Sequence, residues 1–200
     1  MKIGFLGPEG TFSHEAVKEY IKGKSDYTVK PYNSIPDMVM SVKDNQIDEA
    51  VVPIENSLEG AVNVTMDVLA SEADLKIKGE IVINIKQNLM VKKGTKAEEI
   101  KYILSHPQPI GQCRKYIGSK FPAAEVKPVY STAGAAAEVA DGKGDMAAIG
   151  SSIAAEVYGL DIIAEGIQDG NNNLTRFVVV CDSESERTGN DKTSIVFSTE

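Results

Sequence analysis

Short apolar runs bounded by turn residues alternate along this chain with segments whose apolar residues recur at helical spacing. That alternation restricts the fold to βαβ units around mostly parallel sheets, an α/β architecture. Strands are expected at residues 2–6, 27–32 and 50–54. Between them Phe12, Ala16, Val17, Tyr20 and Ile21 share one helical face, and Ile35, Met38, Val39 and Val42 share another; Val62, Met66 and Leu69 repeat the pattern. The rhythm then changes. Leu75, Ile77, Ile81, Ile83 and Ile85 alternate with mostly polar residues and lead into the apolar run 88–91, a stretch longer than one strand. It reads as a crossover into a second lobe.

Within that second lobe, strands are expected at 102–104, 125–129, 146–149 and 161–164, with helices after Pro107, over 132–140 and over 152–158. The loop 165–173 leads to 174–181, a β-branched run that reads as a central strand. If that strand rejoins the first lobe, the chain crosses twice and encloses a cleft. The expected division is 1–78 with 166–183 as the first lobe and 79–165 as the second. Residues 182–192 read as a charged linker and 193–197 as an apolar strand, so the chain is expected to stop at a domain boundary.

Composition narrows the function classes. With 42% hydrophobic residues in 200 positions, the chain can bury one large core or two small ones. No apolar run is long enough to span a bilayer, and the first strand does not read as a leader peptide, so a cytoplasmic protein without a membrane partner is expected. Cys113 and Cys181 stand far apart and are expected to be reduced packing thiols. The formal charge of −8 disfavours nucleic acid as a partner, because neutralising phosphates needs a basic face. His14 and His106 are the only histidines, and neither sits in a cluster with metal-ligand spacing, so no metal is expected. An anionic ligand would therefore have to be held by backbone N–H groups and a few side chains.

Four polar segments fall where an α/β sheet presents ligands, past strand ends and at helix starts. The first contains Thr11 and Ser13, either of which can cap a helix. The second follows the third strand with Glu55, Asn56 and Ser57, more polar groups than one cap requires. In the third, Ser105 and Gln112 are separated by about two helical turns and can face one side. The fourth is Ser131-Thr132-Ala133-Gly134, whose small residues leave room for a ligand. Helix N-termini converging on one cleft would supply positive potential despite the acidic surface.

The segment Asn171 to Phe177 is the most distinctive: an Asn-rich turn, then Thr175 and Arg176 entering an apolar strand. It is expected to bring both residues to the cleft of a protein that acts on a small anion. Strand alternation puts Thr175 and Phe177 on one face and Arg176 on the other, so at most one of the pair points straight at the ligand. Arg176 would bind a carboxylate, orient Thr175, or form a structural ion pair with an acid such as Glu55.

Taken in order, GPEGTFS, PIENSLEG, SHPQPIGQC, STAGAA and NNNLTRF resemble the motifs of prephenate dehydratases over about residues 1–183. The resemblance implies a fold like the type II periplasmic binding proteins, with the cleft between lobes. It implies conversion of prephenate to phenylpyruvate, water and carbon dioxide in phenylalanine biosynthesis, without a cofactor, in a homodimer. It assigns catalytic work to Thr175, Asn56, Ser105 and Gln112, and substrate contacts to Thr11, Glu55, Ser57, Thr132, Asn172, Arg176 and Phe177. Glu55 is the competing proton donor to Thr175. Residues 192–197 resemble the first strand of a regulatory ACT domain, and without that domain the chain is expected to escape phenylalanine inhibition. Two alternatives stay open: arogenate dehydratase, which shares the motifs, and a noncatalytic ligand-binding module of the same architecture.

Overall fold

The structure is a computed structural model that describes residues 1–195. The first sheet contains β1 (Lys2–Leu6), β2 (Thr28–Tyr32), β3 (Glu49–Asn56), β4 (Gly60–Ala61), β5 (Lys76–Asn84) and β11 (Leu174–Cys181), in the order β2-β1-β3-β11-β5 with β4 against β3. The second contains β6 (Asn88–Val91), β7 (Tyr102–Ser105), β8 (Glu125–Pro128), β9 (Met146–Gly150) and β10 (Asp161–Ala164), in the order β10-β6-β9-β7-β8.

Helices cover both faces of each sheet. In the first lobe, α2 (Ile35–Lys43) and α3 (Asn63–Ser71) pack on one face through Ile35, Met38, Val39 and Val68; α1 (Phe12–Tyr20) covers the other through Ala16 and Val17. Strand β11 feeds both layers by simple alternation, Phe177 and Val179 toward α1, Val178 and Val180 toward α2. In the second lobe, α5 (Arg114–Lys120), which follows the short α4 (Pro107–Gln112), packs one face through Ile117. The other is covered by α6 (Thr132–Asp141) and α7 (Ser152–Tyr158).

The two-lobed α/β fold is therefore the one the sequence implies, with three corrections. The sheets are mixed: β11 runs antiparallel to β3 and β5, and β6 antiparallel to β9 and β10. These are strands that arrive directly from, or depart toward, the other lobe, so no crossover helix forces them parallel. The crossover also comes later than residue 78, because β5 stays paired with β11 as far as Asn84; only 85–87 bridges to β6. Finally, Thr193 to Ile195 form no strand, and the rest of that expected strand, Val196 and Phe197, lies outside the described residues.

The chain returns through 165–173, and the two bridges are bonded to each other. Ile85 N donates to Asn173 O (2.8 Å) and Ile167 N to Gln87 O (2.8 Å). Away from the bridges the lobes meet where Ser151 Oγ donates to Gly10 O (2.8 Å) and Tyr158 Oη to Glu9 O (3.2 Å). Gly10 has φ +86°, and a Cβ there would lie 3.2 Å from Ala154 Cα, so only glycine fits both the backbone and the approach.

Candidate functional site

The carboxyl ends of the parallel strands define the site. Asn56 closes β3, and Ser151 follows β9 and bonds to the loop after β1, so the edges that carry the polar loops of the two sheets face each other. Four helix starts gather there. Ser105 Oγ donates to Ile149 O (2.7 Å), tying the start of α4 to the end of β9, and Thr132 at the start of α6 packs on Gly150.

Asn56 is the best-fixed group in the cleft. Its Oδ1 accepts from the backbone N–H of Leu58 (2.9 Å) and Glu59 (3.1 Å), which sets which end of the amide is which. Its Nδ2 then donates to Thr175 Oγ1 (2.7 Å) and to Asn173 Oδ1 (2.8 Å). Asn173 Nδ2 passes the direction on to Gln112 Oε1 (3.3 Å), and Gln87 Nε2 donates to the same oxygen (3.3 Å). This chain of neutral amides runs from the first lobe, through both bridges, to α4 of the second. Because Thr175 accepts from Asn56, its own hydroxyl hydrogen is left to donate outward. Gln112, Leu58 and residues 168–173 line an adjoining cavity of about 340 Å³.

Arg176 points the other way. Its guanidinium lies 2.8 Å from Glu55 and 3.5 Å from Glu80, and Lys192 bonds the second oxygen of Glu80 at 2.8 Å. The Lys192 and Arg176 charges hold the Glu80 carboxyl below its ordinary value. Strand register explains the split: Thr175 pairs with Asn56 and Arg176 with Glu55, on successive and therefore opposite-facing positions. The Arg–Glu55 ion pair weighed on sequence is the arrangement found, and the guanidinium does not face the amide chain.

Of the expected site residues, the structure gathers Thr175, Asn56 and Gln112. Ser105 is wholly buried, and its hydroxyl donates to Ile149 O. Thr11 caps α1, accepting from His14 N (3.3 Å) and donating to Leu6 O (3.1 Å). Ser57 accepts from Leu174 N (2.9 Å) and donates to Asn172 O (2.8 Å), so Asn172 contributes its carbonyl to the turn while its neighbour Asn173 joins the chain. Phe177, 2% exposed, packs in the core beside Phe5. Glu55 is occupied by Arg176.

Asn173 and Gln87 join the amide chain without having been among the expected site residues. Both signals were present: Asn173 lies two residues before Thr175, on the same strand face, and Gln87 follows Ile81, Ile83 and Ile85 in step.

His14 and Cys113 stand apart from this chemistry. His14 Nδ1 accepts from Gly10 N (3.2 Å) and the ring stacks on Phe5, 4.8 Å between centroids. Burial lowers its pKa from 6.5. Burial raises the Cys113 thiol to about 12, which keeps it protonated and inert. Among the described residues no group of His, Cys, Asp and Glu is arranged to hold a metal ion, and no helix is long and apolar enough to cross a membrane.

Residues 3–185 match the family model described as prephenate dehydratase. The bifunctional chorismate mutase/prephenate dehydratase of Aquifex aeolicus is 39% identical over 197 residues, covering 98% of this chain and 53% of the relative. A solved prephenate dehydratase from Arthrobacter aurescens, in complex with L-Phe, aligns with TM-score 0.84 and 34% identity over 94% of this chain and 63% of that one. A structure described as a novel type of quorum quenching acylase aligns with TM-score 0.82 and 28% identity over 93% of this chain and 66% of that one. The chain thus spans about half the length of the curated Aquifex relative.

Proposed function

The chain belongs to the prephenate dehydratase family, and from that premise we propose that it converts prephenate to phenylpyruvate, water and carbon dioxide, with Thr175 as the group that assists departure of the ring hydroxyl. The observation that carries the reading is the direction of the Asn56 hydrogen bond, which leaves the Thr175 proton free to face the ligand. Loss of the ring carboxylate as carbon dioxide pushes an electron pair into the ring, and the C–O bond breaks as the hydroxyl leaves. One proton is consumed overall. A threonine does not release its proton to stand as an alkoxide at neutral pH, so Thr175 donates a hydrogen bond and relays a proton that comes from solvent.

The carboxylates of the substrate are held by the N–H groups at the starts of α1 and α6 and by Gln112, since Arg176 is turned toward Glu55 and Glu80. Holding both carboxylates while the ring sits against Thr175 supplies orientation, a large part of the barrier reduction for such a unimolecular elimination. The chain acts as two lobes that hinge at 85–87 and 165–173, in a cytoplasmic homodimer; sedimentation checks the oligomeric state.

Mixing the protein with prephenate and following phenylpyruvate absorbance tests the activity, and a parallel run with arogenate ranks the two substrates. The likeness to a quorum quenching acylase makes acyl hydrolysis the competing outcome. Acyl hydrolysis without phenylpyruvate would overturn the dehydratase reading.

A further inference from the structure

Ile81, Ile83, Ile85 and Gln87 take every second position from β5 into the first bridge, with exposures of 8%, 6%, 6% and 2%. Three are apolar core side chains and the fourth is an amide. Its Nε2 donates to Gln112, but its Oε1 is buried and has no partner among the described residues. Leaving an amide oxygen unpaired in the interior is unfavourable, and methionine, close to it in shape, would fill the space without that cost. Packing therefore gives no reason for glutamine here. The bond to Gln112 does.

That bond has a direction. Backbone N–H groups of Leu58 and Glu59 fix the Asn56 amide, Asn56 fixes Asn173, and Asn173 must present Nδ2 to Gln112. Gln112 consequently turns Oε1 inward, where it accepts from both Asn173 and Gln87. Its Nε2 makes no hydrogen bond among the described residues, and Gln112 lines the cavity. We propose that Gln87 is a positioning residue: from the first bridge it locks the Gln112 amide with Nε2 toward the cleft, as a donor to a carboxylate or carbonyl oxygen of the ligand. Asn173 does the same from the second bridge. The donor is thus aimed only while the two bridges keep their spacing, which Gln87 N to Gln168 Oε1 (2.9 Å) and Ile167 N to Gln87 O (2.8 Å) maintain. The identity of the ligand rests on the dehydratase reading; the orientation of Gln112 does not.

Three variants test the proposal: Gln87→Met, Gln112→Met and the two combined. In ligand-free protein, the side-chain amide resonances of Gln112, assigned by their disappearance in Gln112→Met, are expected to shift in Gln87→Met while the melting temperature holds or rises. In turnover, each single variant is expected to raise KM for prephenate about tenfold with a smaller change in kcat, as loss of one neutral hydrogen bond implies. The double variant should be no worse than Gln112→Met alone, because both act at one contact. Unmoved Gln112 resonances, or losses that multiply together with a lower melting temperature, would overturn it and leave Gln87 a packing residue. If the unaltered protein forms no phenylpyruvate, the dehydratase reading fails, and the resonances alone decide the role of Gln87.

Discussion

Thr175 and Arg176 are adjacent in sequence, yet they open onto two different chemistries. On the Thr175 face, every partner is a neutral amide, and hydrogen-bond direction is transmitted from backbone N–H groups to a hydroxyl whose proton is left free. On the Arg176 face, every partner is charged: Glu55, Glu80 and, through Glu80, Lys192. The difference shows how an acidic chain could work on a dianion, as the proposed reaction requires. A guanidinium beside the Thr175 hydroxyl would be drawn to the protein's own carboxylates, so it is kept with them, while the Thr175 side is built from dipoles whose orientation the backbone dictates.

The comparison breaks most visibly at Thr175. Thr175→Ala is expected to lower kcat by about a hundredfold to ten-thousandfold, the range for loss of a proton-transfer group, and Thr175→Ser to recover part of it. Steady-state turnover of prephenate decides this, and near-normal turnover of Thr175→Ala alongside an inactive Glu55→Gln would move the chemistry to the charged face. Asn56→Leu should cost about tenfold to a hundredfold, because Thr175 then loses the donor that aims its proton. Denaturant unfolding of the same variant should show a loss of about 1 kcal/mol, since Asn56 Oδ1 also caps the turn at Leu58 and Glu59.

Arg176→Gln should matter far less for turnover, a change of a few fold, and should destabilise by about 1 kcal/mol at most because the ion pairs are solvent-accessible. A loss as large as that of Thr175→Ala would place the guanidinium on the substrate and dissolve the two-face picture.

Acid should act at two separate places, one of them on the charged face. His14 has a folded pKa below 6.5, so the unfolded chain binds the proton first; its contribution is complete above 6.5 and declines as pH falls below that value. Protonation would also set an N–H against Gly10 N, which now donates to the ring. Glu80 has a folded pKa below 4.5, so its contribution is present above 4.5 and is lost as pH falls through the folded value. Stability measured against pH is therefore expected to fall in two windows, with His14→Asn flattening the first. The smallest effect, Lys192→Ala, should weaken only the second.

Much of this was legible in the sequence, for reasons that can be named. The helix over Ser152–Tyr158 and the strands Asp161–Ala164 and Leu174–Cys181 appear with the boundaries expected, because caps, turns and apolar runs there agree with one another. The end of β5 was not legible, since Lys76–Asn84 and Asn88–Val91 share one apolar character and only pairing with β11 decides which sheet holds which. Alternation did forecast that Thr175 and Arg176 would part. It could not say that Ser105 would spend its hydroxyl on Ile149, because that acceptor lies 44 residues away. Direction along the amide chain is likewise a property of four segments at once and of no single motif.

The placement of β11 between β3 and β5 also dictates an order of assembly. Asn56 must wait for Thr175, 119 residues later, so a ribosome delivers every strand of the second sheet before the strand that completes the first. The second lobe, contiguous in sequence, can fold as it emerges; the first remains an unfinished sheet with an open edge on β3 until the last described strand arrives. The Asn56–Thr175 pair and the finished fold therefore appear together, and a nascent chain has no cleft to offer.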